Sequence, residues 1–287
     1  MSDLSRAQIL AELRTDLRIP VFPQVLRQME AEFARGHDAD LNRVCDLVEQ
    51  DVGLATQFLK VAYSSLYPQV DAAISVRQAV KRIGLVDARQ LALASGLTAA
   101  FDRTPSARVF WRHCVATGLA TRVLVDLGRP ELRAFTDIAF TAGLLHDVGA
   151  LVLATLHPNE VAEVLAPERD IDGEIHIVHR ERSRWGIDHA AVGRVVARKW
   201  GFPEELSAAI AFHHEPWSAE PQHQSLVLLV HLADFISGAY GLQTDFQAEL
   251  ELPDPEVWDA IGVSFDDVDT ILAKVRALEE KTVAWVD

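Results

Sequence analysis

Apolar residues along this chain recur at three- and four-residue spacing, and alternating strand-like stretches are scarce. The pattern predicts helix after helix, an all-α fold. In "SVRQAVKRIG", Ser75 and Gln78 have the spacing of a capping box, and Gly84 stands where a helix stops. The following "LVDARQLALASGLTAAF" puts Leu91, Ala94, Leu97 and Phe101 on one helical face. Pro105-Ser106 then opens a helix whose stripe is Trp111, Val115, Leu119 and Val123. Further helices are predicted around 130–156, 158–166, 173–185, 188–200, 203–214, 222–240, 254–261 and 265–282.

The connections are short and punctuated by Gly and Pro, with no long linker or internal repeat. One soft boundary falls at "DRTPSA", near residue 104; a single histidine, His37, precedes it and the other ten follow it. From Asp245 to Asp287 there are twelve acidic and three basic residues, which reads as a solvated face. Leu272, Val275 and Leu278 within that tail still predict a docked helix. The expected division is an N-terminal helical subdomain (1–104), a histidine-bearing bundle (105–240) and an acidic C-terminal extension (241–287).

Against this apolar background, "FTAGLLHDVGALVLATL" sets His146-Asp147 in the middle of a greasy run. A lone buried carboxylate costs several kcal/mol or gives up its charge unless something pairs with it. The run Ile138 to Leu156 is close to membrane-spanning length. Asp147 at its centre would cost about 2.5–3.5 kcal/mol on insertion scales, so a buried core helix, with no membrane involved, is the expectation. Other metal-competent side chains share its helical, apolar flanks. "FWRHCVATG" supplies His113, followed by Thr117 and Ala120; "WGIDHAAVG" supplies His189, one turn before Gly193. "IAFHHEP" supplies His213 and His214, closed off by Pro216, and "VHLADFISG" supplies Asp234. Small residues one turn away would let neighbouring helices approach closely. His and carboxylate ligands on separate helices can hold one or two divalent metals. A metal would also compensate Asp147 and engage a neutral His146. His157, His176, His179, His223 and His231 read instead as hydrogen-bonded core or surface residues.

Composition narrows the field. With 49% hydrophobic and 24% charged residues the chain has the profile of a globular protein. Its net charge, 27 − 42 = −15, argues against a phosphate-backbone grip and so against nucleic acid as the main partner. Cys45 and Cys114 suggest no disulfide framework, and "MSDLSRAQILAELRTDL" has no secretory pattern, so a cytoplasmic setting is expected. There is no C-x-x-C pair, P-loop, dinucleotide fingerprint or G-x-S-x-G elbow.

The ordered series "FWRHC … GLLHDVGALVL … WGIDHAAVGRVVARKWGFPEEL … AFHHEP … HLAD" resembles the HDOD family, the HD-related output domains of bacterial signalling proteins. "IPVFPQVLRQM", "VCDLVEQDVGLATQFLKVAYSS" and "ISVRQAVKRIGLVDARQLALAS" are similar to the segments that precede the histidines in that family. The likeness spans roughly residues 15–240; Tyr63 departs from it, standing where the family usually has Asn before Ser. The resemblance implies an N-terminal helical subdomain packed on an HD-type bundle, and a role in signal output. It also implies a divalent metal (Fe, Mn, Zn or Mg) held by His146, Asp147, His189, His213, His214 and Asp234. His113 aligns with a histidine upstream of the HD pair.

Two functions follow. The first is a non-catalytic signalling module that meets a protein partner, with a nucleotide or cyclic dinucleotide as a candidate ligand. The second is a metal-dependent phosphohydrolase. The related HD-GYP phosphodiesterases place a lysine after their H-D-x-G where this chain has Ala150, and "HHEPWS" lacks their Gly-Tyr-Pro segment. Both departures favour the first. With no receiver, cyclase or DNA-binding segment in these 287 residues, input is expected through a separate protein, a small ligand or expression level.

Overall fold

The computed structural model describes residues 4–15, 22–63, 75–100, 105–165, 177–239 and 252–286. The described residues form sixteen α-helices and four short 3₁₀ turns, and no strand is found among them. In chain order the first half holds α1 (Arg6–Thr15), α2 (Gln24–Phe33), α3 (Leu41–Glu49), α4 (Val52–Ala62), α5 (Val76–Ile83) and α6 (Leu85–Ala100). Then come α7 (Pro105–Leu127), α8 (Ala139–Leu145), α9 (Val148–Leu156), α10 (Pro158–Leu165) and α11 (Ile177–Trp185). The last five are α12 (His189–Trp200), α13 (Glu204–Phe212), α14 (Pro221–Ala239), α15 (Pro255–Ile261) and α16 (Val268–Val286).

The chain divides into two compact units: residues 20–111 with 277–287, and residues 1–19 with 112–276. In the first, local signals in the sequence set the helix ends. Asp40 and Asp51 cap α3 and α4 by accepting the amides of Asn42 (2.8 Å) and Leu54 (2.9 Å). The predicted capping box at Ser75 and Gln78 is formed, and Gly84 ends α5 with φ +87°. Leu91, Ala94 and Leu97 of α6 are buried as their spacing predicts, while Phe101 lies outside the described residues. Glu30 accepts two hydrogen bonds from the Arg89 guanidinium, at 2.9 and 2.5 Å, which ties α2 to α6.

The second unit carries the histidines. Its predicted stripe on α7, Val115, Leu119 and Val123, is buried. Ala142, Leu206, Ala209, Leu226 and Val230 pack together where α8, α13 and α14 meet. Helix α1 belongs to this unit: Ile9 and Leu13 are buried, and the Lys199 ammonium donates to the Leu13 carbonyl at 3.0 Å. The same holds for the described tail up to Arg276. Val257, Trp258 and Ile261 are buried, the Trp258 ring packs edge-on against Phe235, and Ile271 and Val275 bury one face of α16.

The stretch from 130 to 156 differs from the continuous core helix expected there. Pro130–Phe135 is a 3₁₀ turn, and the apolar run is broken into α8 and α9 at His146-Asp147. Asp147 adopts φ −98°, ψ 14°, the bridge conformation, and its carbonyl accepts from Ala150 at 3.0 Å in a tight turn. The run Ala139–Leu156 is long and apolar enough to cross a membrane by length and composition, yet 89% of it is buried within the protein.

Candidate metal centre

The break between α8 and α9 turns the His146 and Asp147 side chains into a cluster completed by four other segments. His113 comes from α7, His189 from the first turn of α12, His213 and His214 from the end of α13, and Asp234 from α14. All seven residues expected from the sequence therefore meet. Close backbone approach makes this possible. A Cβ on Gly149 would stand 1.9 Å from the His189 carbonyl oxygen and 2.5 Å from the Gly193 amide, so α9 and α12 touch with no side chain between them. Gly143 likewise lies against Gly118 and Thr117, bringing α8 onto α7.

Asp147 sits at the centre, 3% exposed, with its two oxygens pointing to different partners. Oδ1 lies 3.3 Å from His189 Nε2 and 3.4 Å from His213 Nε2. Oδ2 lies 3.3 Å from His146 Nε2 and 4.0 Å from His113 Nε2. Asp234 Oδ1 completes the second group, 3.1 Å from His113 Nε2 and 3.5 Å from His146 Nε2, and His214 Nε2 completes the first, 2.9 Å from His189 Nε2. Two groups of ligand atoms result, each within 4.8 Å: Asp147, His189, His213 and His214, and His113, His146 and Asp234.

The far ring nitrogens are anchored. His146 Nδ1 donates to the Gly143 carbonyl (2.8 Å) and His213 Nδ1 to the Ile210 carbonyl (2.9 Å), the same three-residue reach-back just past a helix end. His189 Nδ1 lies 2.7 Å from the Glu181 carboxylate. These bonds place a proton on Nδ1 and turn the Nε2 atoms toward Asp147. Two supporting residues were not legible in the sequence. Glu181, buried in α11, carries no periodic signal that separates it from a solvated helix charge. His231, assigned above to core or surface, donates through Nδ1 to the His213 carbonyl at 2.7 Å. His157 pairs with Glu12 at 2.8 Å, away from the cluster, and His176 lies outside the described residues.

Burial and mutual contact shift the ionisable groups strongly. Burial alone would raise Asp147 and Asp234, but the adjoining histidines hold both well below the usual carboxylate range. For His146, burial lowers the value and the Asp147 carboxylate outweighs it, giving about 10. For His189, burial is outweighed by Glu181 and Asp147, and the ring is pushed well up. His213 and His214 go the other way, depressed by burial and by their imidazole neighbours. The carboxylates thus favour the charged form of His146 and His189, while burial and neighbouring imidazoles disfavour it for His213 and His214.

The donor set suits divalent cations. Two donors each about 2.1 Å from one ion are separated by about 3.0–3.4 Å at octahedral or tetrahedral angles, which matches most of the spacings above. Asp147 Oδ1 and His213 Nε2 are both buried and complete no hydrogen bond of good geometry. Such atoms would be costly to bury without a further partner.

Residues 19–216 match the HDOD domain family, a span that includes six of the seven clustered residues and ends before Asp234. An uncharacterized protein of Treponema pallidum (strain Nichols) is 25% identical over 217 residues, 75% of this chain and 41% of that protein. Ribonuclease Y of Thermus thermophilus is 25% identical over 198 residues, 69% of this chain and 29% of that enzyme. The chain spans less than half the length of these curated relatives. In fold it is similar to a candidate signal transduction protein from Marinobacter aquaeolei VT8, with TM-score 0.75 and 23% identity over 96% of this chain and 65% of that one. With its helical order, its clustered histidines and the family match over most of its length, this chain belongs to the HDOD family.

Proposed function

We propose that this chain is a regulatory HDOD signalling module that holds divalent metal and does not turn over a substrate. The observation that carries the metal reading is the division of Asp147: one oxygen faces His189 and His213, the other His113 and His146. A carboxylate shared in this way suits a pair of cations, with Asp147, His189, His213 and His214 around one and His113, His146, Asp234 and Asp147 around the other. When bound, divalent cations supply Lewis-acid polarisation of a phosphoryl oxygen. The protein's own contribution is to hold the Nε2 lone pairs inward through Nδ1 anchors and to exclude bulk water from His113, His146 and His213, each 0% exposed.

What argues against turnover is the lack of a charge-stabilising lysine at position 150. Ala150, at the position where the phosphodiesterases place a lysine, is 0% exposed and offers no donor. Arg182, the guanidinium beside the His213-His214 segment, is engaged by Asp188 and Glu215, each at 2.5 Å. Under this reading the module acts through a protein partner, and metal or a nucleotide stabilises its signalling conformation.

A second reading, a metal-dependent phosphohydrolase, draws support from the likeness to proteins named ribonuclease Y and from the gathering of seven candidate ligands. Elemental analysis of untagged protein and turnover assays on nucleotides, cyclic dinucleotides and RNA separate the two. Metal without turnover is expected. Metal-dependent hydrolysis abolished in Asp147→Ala would establish the phosphohydrolase.

A further inference from the structure

Glu181 is a buried carboxylate that the proposed metal centre does not use as a ligand. It is 1% exposed, and one oxygen, Oε2, serves two donors of the same residue: the His189 backbone amide at 2.8 Å and His189 Nδ1 at 2.7 Å. That amide opens α12 and would otherwise be an unpaired donor at a helix start. One oxygen therefore fixes both the first turn of α12 and the rotation of the ring it carries. The next residue, Arg182, ties Asp188, the residue that caps α12, to Glu215, which follows His214. Glu181-Arg182 thus holds both chain segments that bring His189, His213 and His214 together.

Among the described residues, no carboxylate supports the imidazoles of the other half in this way. His146 Nδ1 is anchored to a neutral carbonyl, and His113 Nδ1 is buried with no hydrogen-bond partner among the described residues. A carboxylate on the far nitrogen of a ligating imidazole orients the ring and makes its lone pair a better donor, and removing such a partner costs about 10–100-fold in metal affinity.

Building on the metal-binding reading above, we propose that Glu181 is a positioning residue that makes the Asp147, His189, His213 and His214 group the tighter of two cation sites. The two halves then differ in affinity by construction. The first equivalent of cation enters beside His189 and the second beside His113 and His146. Asp234 serves only the weaker half.

The test titrates the full chain with Co²⁺ alone, followed by its visible absorption and by chelator competition. Wild type should take up a tight and a weaker equivalent. Glu181→Gln, which keeps an acceptor oxygen but loses the charge, should weaken the tight equivalent by about 10–100-fold and change its spectrum. Asp234→Asn should lose the weaker equivalent and keep the tight one unchanged. A tight equivalent unaffected by Glu181→Gln, or lost in Asp234→Asn, would overturn the assignment while leaving metal binding intact. A wild type that takes up no Co²⁺ would overturn the metal reading and this inference with it. Should Glu181→Gln fail to fold, ¹⁵N spectra of the Zn²⁺-loaded wild type decide the matter. A His189 Nδ1 proton in a strong hydrogen bond supports the role of Glu181, and ligation through Nδ1 contradicts it.

Discussion

Gly149 lies so close to His189 that a Cβ on the glycine would stand 1.9 Å from the histidine's carbonyl oxygen. Helices α9 and α12, which present Asp147 and His189, therefore meet backbone to backbone. Gly149→Ala must push them apart. The expected cost is about 1–3 kcal/mol or more from overpacking. Because the displaced helices carry proposed ligands, metal affinity should fall together with the melting temperature. Thermal unfolding of this variant beside wild type, each with and without metal, checks both effects. A variant with unchanged stability and affinity would mean the helices separate at no cost.

Asp147→Ala should lose most of its metal, since both ligand groups share that carboxylate. Elemental analysis of wild type and variant purified in parallel without an affinity tag measures this. Equal and negligible metal in both would leave a hydrogen-bonded polar cluster as the reading.

Chelation should lower the melting temperature of wild type and barely move that of His146→Ala. Metal that binds only the folded state stabilises it by RT ln(1 + [L]/Kd), ~2.7 kcal/mol at a hundredfold excess over Kd. A metal-free wild type indifferent to chelator would count against a stabilising ion.

Cyclic di-GMP should not be hydrolysed at an enzyme's rate, even by protein loaded with Mn²⁺ or Fe²⁺. Removing one preorganised charge-stabilising donor typically costs ~10²–10³ in rate, about 2.7–4 kcal/mol. Misplacing substrate by ~1 Å, as loss of a positioning segment does, can cost ~10² more. Metal-dependent turnover near ~1 s⁻¹, absent from Asp147→Ala, would reverse the order of the two proposed functions, since enzymes commonly work at ~1–10³ s⁻¹.

Ser75→Ala removes the side-chain acceptor of the α5 capping box, in the unit that lacks the histidine cluster. A loss of about 1 kcal/mol is expected from such a cap. Metal content should stay at the wild-type level. Denaturant unfolding and elemental analysis of the same preparation read the two quantities. A matching fall in metal would show that the units are energetically coupled.

The helices themselves were written locally. Apolar spacing predicts α6 and α7, and Ser75, Gln78 and Gly84 predict both ends of α5, because capping and periodicity act within a few residues. The seven residues of the cluster were legible for a related reason: ionisable groups in apolar helices are costly, so they stand out. Their partnership was not local. Asp147 meets His189, His213 and His146 through helix crossings set where Gly149 abuts His189 and Gly193, and where Gly143 abuts Gly118. The same packing decided that the apolar run breaks at His146-Asp147, and it put Arg6–Thr15 against α12. Glu181 and His231 acquired their roles only through contacts made by folding, Glu181 eight residues from His189 and His231 eighteen from His213. A helical charge reads the same in sequence whether it faces water or a buried imidazole. Residue spacing determines which face of a helix turns inward, and tertiary packing alone determines what that face finds there.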